Sequence, residues 1–148
     1  MTKFLYSLAL SFWVGGASLF TFILTPTLFK SYNRDMAGGI VGVLFPGYFK
    51  WGLACGAIAL ITLFLSAAPR HKILAAGIIL VMLVLTSIQA FVIEPKAAAL
   101  KKEIPSFETT PQDDPLRVEF RKLHAVSALS NLAVIGCGIV LIFLHSRQ

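Results

Sequence analysis

Four long apolar stretches, residues 4–29, 40–68, 73–93 and 125–144, fill most of this 148-residue chain. Each can cross a hydrocarbon core of about 30 Å at roughly 1.5 Å of rise per helical residue. So short a chain has room for one integral membrane domain over residues 1–148 and for no soluble catalytic domain. The expected fold is all-α: a four-helix transmembrane bundle of antiparallel up-down topology, with both termini on the same side. Helices are expected at 4–29, 40–68, 73–94 and 118–145, joined across 95–117 by the longest loop.

Composition agrees. Hydrophobic residues make up 57% of the chain and charged residues only 14%, with a mean hydropathy of +0.80; soluble domains carry roughly 25% charged residues. The net charge of +6 would suggest nucleic acid in a soluble protein. Here Lys and Arg sit in the breaks between apolar runs, where lipid headgroups lie, so the bilayer is the expected partner and nucleic acid is not. A plasma or inner membrane is the expected location. Cys55 and Cys137 lie deep in apolar runs at a spacing that matches no metal or redox motif, and read as small buried hydrophobes. The start of the chain has a basic residue, an apolar run and Gly15-x-Ala17, which imitates a signal-peptidase site. The run continues to Leu24, so a retained first helix is expected.

Within the helices, Ser7, Ser11, Gly15 and Ser18 recur at three- and four-residue spacing and predict a small-residue packing seam on the first. Residues 30–39, with Tyr32, Asn33, Arg34, Asp35 and Gly38-Gly39, have a turn composition. In the second stretch Lys50 argues for a crossing core at 51–68. Residues 44–49 then lie at the interface, with a kink or helix start at Pro46. Gly52 and Gly56 form a GxxxG face further in. The break Ala68-Pro69-Arg70-His71-Lys72 is short enough to make the second and third helices antiparallel neighbours. The third helix is expected to end at Glu94-Pro95; residues 97–103 look helical again before a Pro-, Thr- and Asp-rich stretch. His145-Ser146-Arg147 closes the fourth helix.

No pair of carboxylates at acid–base spacing lies inside the membrane, and no glycine-rich phosphate loop, nucleophile elbow or His-x-x-x-His occurs, so no catalytic residue and no metal site is assigned. What remains are polar groups near helix ends: Gln89 and Glu94 on the third helix, and His124, Ser127 and Asn131 on the fourth. The last three stand at i, i+3 and i+7 and share one helical face. A titratable group beside a membrane span is a functional candidate by default. The alternative for these residues is structural, with His124 bonding a neighbouring carbonyl and Ser127 and Asn131 tying helices together. Glu94 is expected to pair with Arg117, Arg121 or Lys122 and staple the long loop onto the bundle, or else to bind a proton or cation.

Three blocks resemble a known family. Leu44-Phe45-Pro46-Gly47-Tyr48-Phe49, then Glu94-Pro95-Lys96, then Leu116-Arg117 leading through Phe120 to His124, Ser127 and Asn131-Leu132 are similar to the signature blocks of the transmembrane protein 205-like family. The opening Phe12-Trp13-Val14-Gly15-Gly16 also resembles it. The resemblance implies a four-helix multi-pass membrane protein whose domain has no known function. Its signature residues match Pro46, Tyr48, Glu94, Pro95, His124 and Asn131. The Trp-x-Gly-Gly pattern is more distantly similar to the copper-resistance D proteins and to haem-binding protoporphyrinogen oxidases of the J type, although the first helix here has no histidine.

Three functional readings follow. The chain binds or moves a small solute or metal complex, or supports resistance to one, through a cleft near His124 and Glu94, the ligand being unidentified. Alternatively it is a haem-dependent membrane redox enzyme with His124 as an axial ligand. Thirdly it is a scaffold or assembly factor whose small-residue faces bind a partner membrane protein or a second copy of itself.

Overall fold

The computed structural model describes residues 1–66 and 71–146. Four helices fill it: α1 Thr2–Ser31, α2 Arg34–Leu65, α3 Lys72–Glu103 and α4 Pro115–Ser146. They pack antiparallel in a square in which α1 touches α2 and α4, and α3 touches the same two. All four are long and apolar enough to span a bilayer, and the protein is a four-span membrane protein. Of the expected Ala68–Lys72 break, positions 68–70 lie outside the described residues, as does Arg147.

Both ends of α2 have a local chemical cause. Asn33 caps α2, its Oδ1 accepting from the Met36 N–H at 2.8 Å, with Asp35 in the positively polarised first turn. Residues 35–39 are therefore helical, not turn, and the connection from α1 is Tyr32-Asn33 alone. The Asn33 cap starts the helix ahead of Gly38-Gly39, and packing of α2 against its neighbours offsets their low helix propensity. At the far end of α2, the Lys72 ammonium donates to the carbonyls of Phe64 at 3.0 Å and Ser66 at 3.3 Å, satisfying acceptors that a helix C-terminus leaves open. α2 runs through Pro46 without a break.

α1 and α3 share a feature that hydropathy does not reveal. Each contains a π-helical segment, Leu19–Leu24 in α1 and Gln89–Ile93 in α3. There the Thr25 N–H reaches back five residues to Phe20 O, and the Glu94 N–H to Gln89 O. Both segments lead directly into a proline, in Phe22-Ile23-Leu24-Thr25-Pro26 and Phe91-Val92-Ile93-Glu94-Pro95. A proline ring crowds the carbonyl four residues earlier and offers no donor to it; a widened turn absorbs both problems. Pro95 then occupies the first turn of the Glu94–Glu103 segment, where a missing N–H costs little. The third helix thus continues nine residues beyond its expected end, to Glu103.

The core lies between the ends remote from Pro26 and Pro95. Leu10, Ile79, Met82, Val134 and Leu141 are at most 2% exposed. Trp13 lies flat against α2: a β-carbon at Gly52 would sit 2.9 Å from its Nε1, and one at Gly56 2.6 Å from its ring carbons. Gly138 of α4 is occupied in the same sense by Val14. The Gly52/Gly56 face therefore packs closely, whereas the expected seam on α1 does not: Ser11 and Gly15 face outward and nothing approaches Gly15. Close approach needs one small partner per contact, and α2 and α4 supply it, leaving α1 to present its large side chains Tyr6, Leu10, Trp13 and Val14. Cys55 is buried and Cys137 half-buried, both as free thiols.

Candidate functional site

Beyond the two π-helical segments the bundle opens. α2 packs along α3 as far as Gln89–Ile93, but close backbone contact with Glu94–Glu103 is nearly lost. A cleft of about 530 Å³ fills the resulting gap. One wall is α2, with Arg34, Val41, Phe45 and Phe49, and with Gly38 and Gly42 one turn apart. The facing wall is α3, with Ile93, Glu94, Ala97, Lys101 and Lys102. α4 closes a third side with Phe120, Leu123, His124 and Ser127.

The long loop is folded over this end and fixed to the start of α2. The Asp35 carboxylate accepts from Ser106 Oγ at 2.6 Å and from the Phe107 N–H at 2.7 Å. Glu108 Oε1 accepts from the Arg34 N–H at 2.7 Å. These are charge-assisted bonds at the positive end of a helix, where carboxylates are most favoured. They set Phe107 against Phe120 at 4.9 Å between ring centroids and make it part of the cleft wall. Asp114 Oδ1 caps α4 by accepting from the Leu116 and Arg117 N–H groups. The Arg117 guanidinium donates to Thr110 O and lies over the Phe107 ring. Arg117 is thus committed to the loop, and Glu94 forms no ion pair with Arg117, Arg121 or Lys122 among the described residues. Asp35 secures the loop instead.

The cleft ends in a layer of aromatic and polar side chains. Phe20, Phe45, Tyr48 and Phe49 stack on one another, with 4.5 Å between the Phe20 and Tyr48 rings. Tyr48 OH donates to Asn131 Oδ1 at 3.0 Å, and Ser127 Oγ donates to Gln89 Oε1 at 2.9 Å. Gln89 is 1% exposed, and its Nε2 is buried with no hydrogen-bond partner, as is Thr21 Oγ1 on α1. Both orphaned groups lie in the π-helical segments.

Of the five residues singled out in sequence, Glu94, His124 and Ser127 line the cleft, while Gln89 and Asn131 lie in the layer beneath it. Phe45 and Phe120 also line it; Trp13 and Gly15 lie elsewhere. Sequence reasoning missed Arg34, Lys101, Lys102 and Phe107. Lys101 matters most for the electrostatics: a β-carbon at Gly38 would lie 3.5 Å from its Nζ. Its ammonium therefore rests over bare α2 backbone, within the electrostatic reach of the Asp35 carboxylate. The signal for Arg34 was Asn33 followed by an acidic residue, a helix-start pattern. No group of three or more His, Cys, Asp or Glu side chains that could hold a metal occurs among the described residues. His124 is the histidine at the cleft; His71 and His145 stand at the opposite end.

Residues 8–106, covering most of α1 and all of α2 and α3, match the model of a domain of unknown function, DUF4149. An uncharacterized protein of Aquifex aeolicus (strain VF5) is 36% identical over 140 residues, 93% of each chain, which carries the likeness into α4. No solved structure matches the chain. With two thirds of its length under the family model and a relative alike along nearly all of it, this chain belongs to the DUF4149 family.

Proposed function

We propose that this protein is a non-enzymatic membrane protein that holds a small molecule in the cleft between α2, α3 and α4. The observation that carries this reading is the cleft itself: 530 Å³, walled mostly by apolar side chains, with a few convergent polar ones. That size falls within the roughly 300–1,000 Å³ usual for small-molecule sites, and the mix of linings is the usual one. The residues that resemble the transmembrane protein 205-like signature gather here as well. Phe45, Glu94, Phe120 and His124 line the cleft, and Tyr48 and Asn131 form its floor. Below that floor the bundle is filled by Leu10, Ile79 and Met82, which favours holding a molecule over passing it through. In this reading α2 crosses the hydrocarbon mainly beyond Lys50. Residues 44–49 lie at the interface, in a plasma or inner membrane.

Native mass spectrometry of protein released from its own membranes tests the proposal. Wild-type protein is expected to carry a small-molecule adduct that is lost in Gly42→Leu, which places a side chain in the cleft. Equal adducts in the two proteins would overturn the reading. A Soret band in the same preparation would assign the cleft to haem bound through His124. Retention of a partner membrane protein with no small-molecule adduct would favour the scaffold.

A further inference from the structure

We infer that the occupant of the cleft is an anionic phospholipid, its phosphate held by Lys101, Lys102 and Arg34 and the start of one chain laid on Val41, Phe45 and Phe49. This rests on the binding reading above and names its ligand class. The first support is charge. Three permanent cations line the cleft against one carboxylate, Glu94. Two further carboxylates lie nearby: Asp35, which holds Ser106 and Phe107 and also attracts Lys101, and Glu108, which holds the Arg34 amide. Asp35 attracts Lys101 only through space, so the ammonium keeps its N–H donors for a phosphate at the edge of an apolar space.

The second support is depth. The uncharged run of α3 ends at Ile93, and Glu94, Lys96, Lys101 and Lys102 follow within nine residues. A run of about 20 apolar residues matches the hydrocarbon core, so the cleft lies at headgroup level on that face. Basic residues at this level attract anionic lipid by roughly 1 kcal/mol each.

Access is the third. Phe29 and Val43 belong to the cleft lining yet are 44% and 81% exposed on the outer surface. The apolar wall is thus continuous with the lipid-facing surface of the bundle. A lipid enters sideways without leaving its solvent, whereas a water-soluble anion would have to desolvate against apolar walls. Gly38 and Gly42 leave α2 bare where the headgroup would lie, and the Lys101 ammonium already rests over that backbone. The volume suits a headgroup and the first part of one chain, with the remainder left in the leaflet.

The test is native mass spectrometry of delipidated protein titrated separately with phosphatidylglycerol, phosphatidylethanolamine and inorganic phosphate. Phosphatidylglycerol is expected to bind in preference to phosphatidylethanolamine. Lys101→Gln should weaken phosphatidylglycerol binding about fivefold and leave phosphatidylethanolamine unchanged, while Lys101→Arg retains the preference. Gly42→Leu, which keeps every charge, should abolish the bound lipid. Equal binding of the two lipids, an unaffected Lys101→Gln, or inorganic phosphate competing as well as phosphatidylglycerol would overturn the lipid assignment. If a non-lipid adduct is nonetheless lost in Gly42→Leu, the binding reading survives without it. If no adduct of any kind depends on Gly42, both fall.

Discussion

The two halves of α2 use glycine for opposite ends. In the half toward Leu65, Gly52 and Gly56 accept the Trp13 ring so closely that no β-carbon would fit. In the half toward Arg34, Gly38 and Gly42 face a space crossed by a single lysine side chain. Helices in lipid gain little from hydrophobic association and rely on shape-matched contact. A small residue therefore closes a bundle only when a large one on a neighbour enters the space it leaves. Where α3 leans away and sends in Lys101, the same residue type makes a cleft.

Substitutions in the two halves should separate this contrast. Trp13→Ala removes the side chain that fills the closed half and should cost about 3–5 kcal/mol, read by denaturant unfolding in micelles. A small loss would mean that the close packing contributes little. Next, Gly56→Ala puts a methyl group into the Trp13 ring and Leu83 and should cost about 1–3 kcal/mol. Asp35→Asn keeps an acceptor for Ser106 and Phe107 but removes its charge. About 1 kcal/mol of local stability should go, seen as faster hydrogen exchange at the Phe107 amide with the closed half unchanged. Tyr48→Phe breaks the single bond to Asn131 between diagonal helices and should cost about 0.6 kcal/mol. Gly42→Ala, with only Lys101 Nζ at 3.9 Å, should be neutral or stabilising by about 0.5 kcal/mol. Equal costs at Gly56 and Gly42 would abolish the distinction between the halves.

The bundle was legible because lipid demands long uncharged helices, and apolar runs report those directly. The GxxxG face at Gly52 and Gly56 was legible for a related reason, since small residues one turn apart mark close approach. On α1 the same rule misled, because spacing alone does not say which face meets a partner. Asp35 and Gly38-Gly39 looked like a turn until the Asn33 cap and the Glu108 and Ser106 contacts were placed; the latter come from over 70 residues away. Glu94, Ser127 and His124 were found as polar groups at helix ends. Lys101 was not, because Pro95 reads as a stop and the widened turn that lets α3 continue has no hydropathy signature. Its position over Gly38 depends on tertiary geometry that no local pattern encodes.

That widened turn also acts as a phase shifter. A π-helical segment amounts to one residue inserted into an α-helix, and each residue advances the helix by about 100°. Everything after Gln89–Ile93 is therefore rotated relative to the face that packs in the core. Shortening that segment by one residue would undo this rotation and swing Lys101 and Lys102 away from α2 with every charge still present. The electrostatics of the cleft are thus encoded in chain length between Gln89 and Pro95 as much as in the residues that line it.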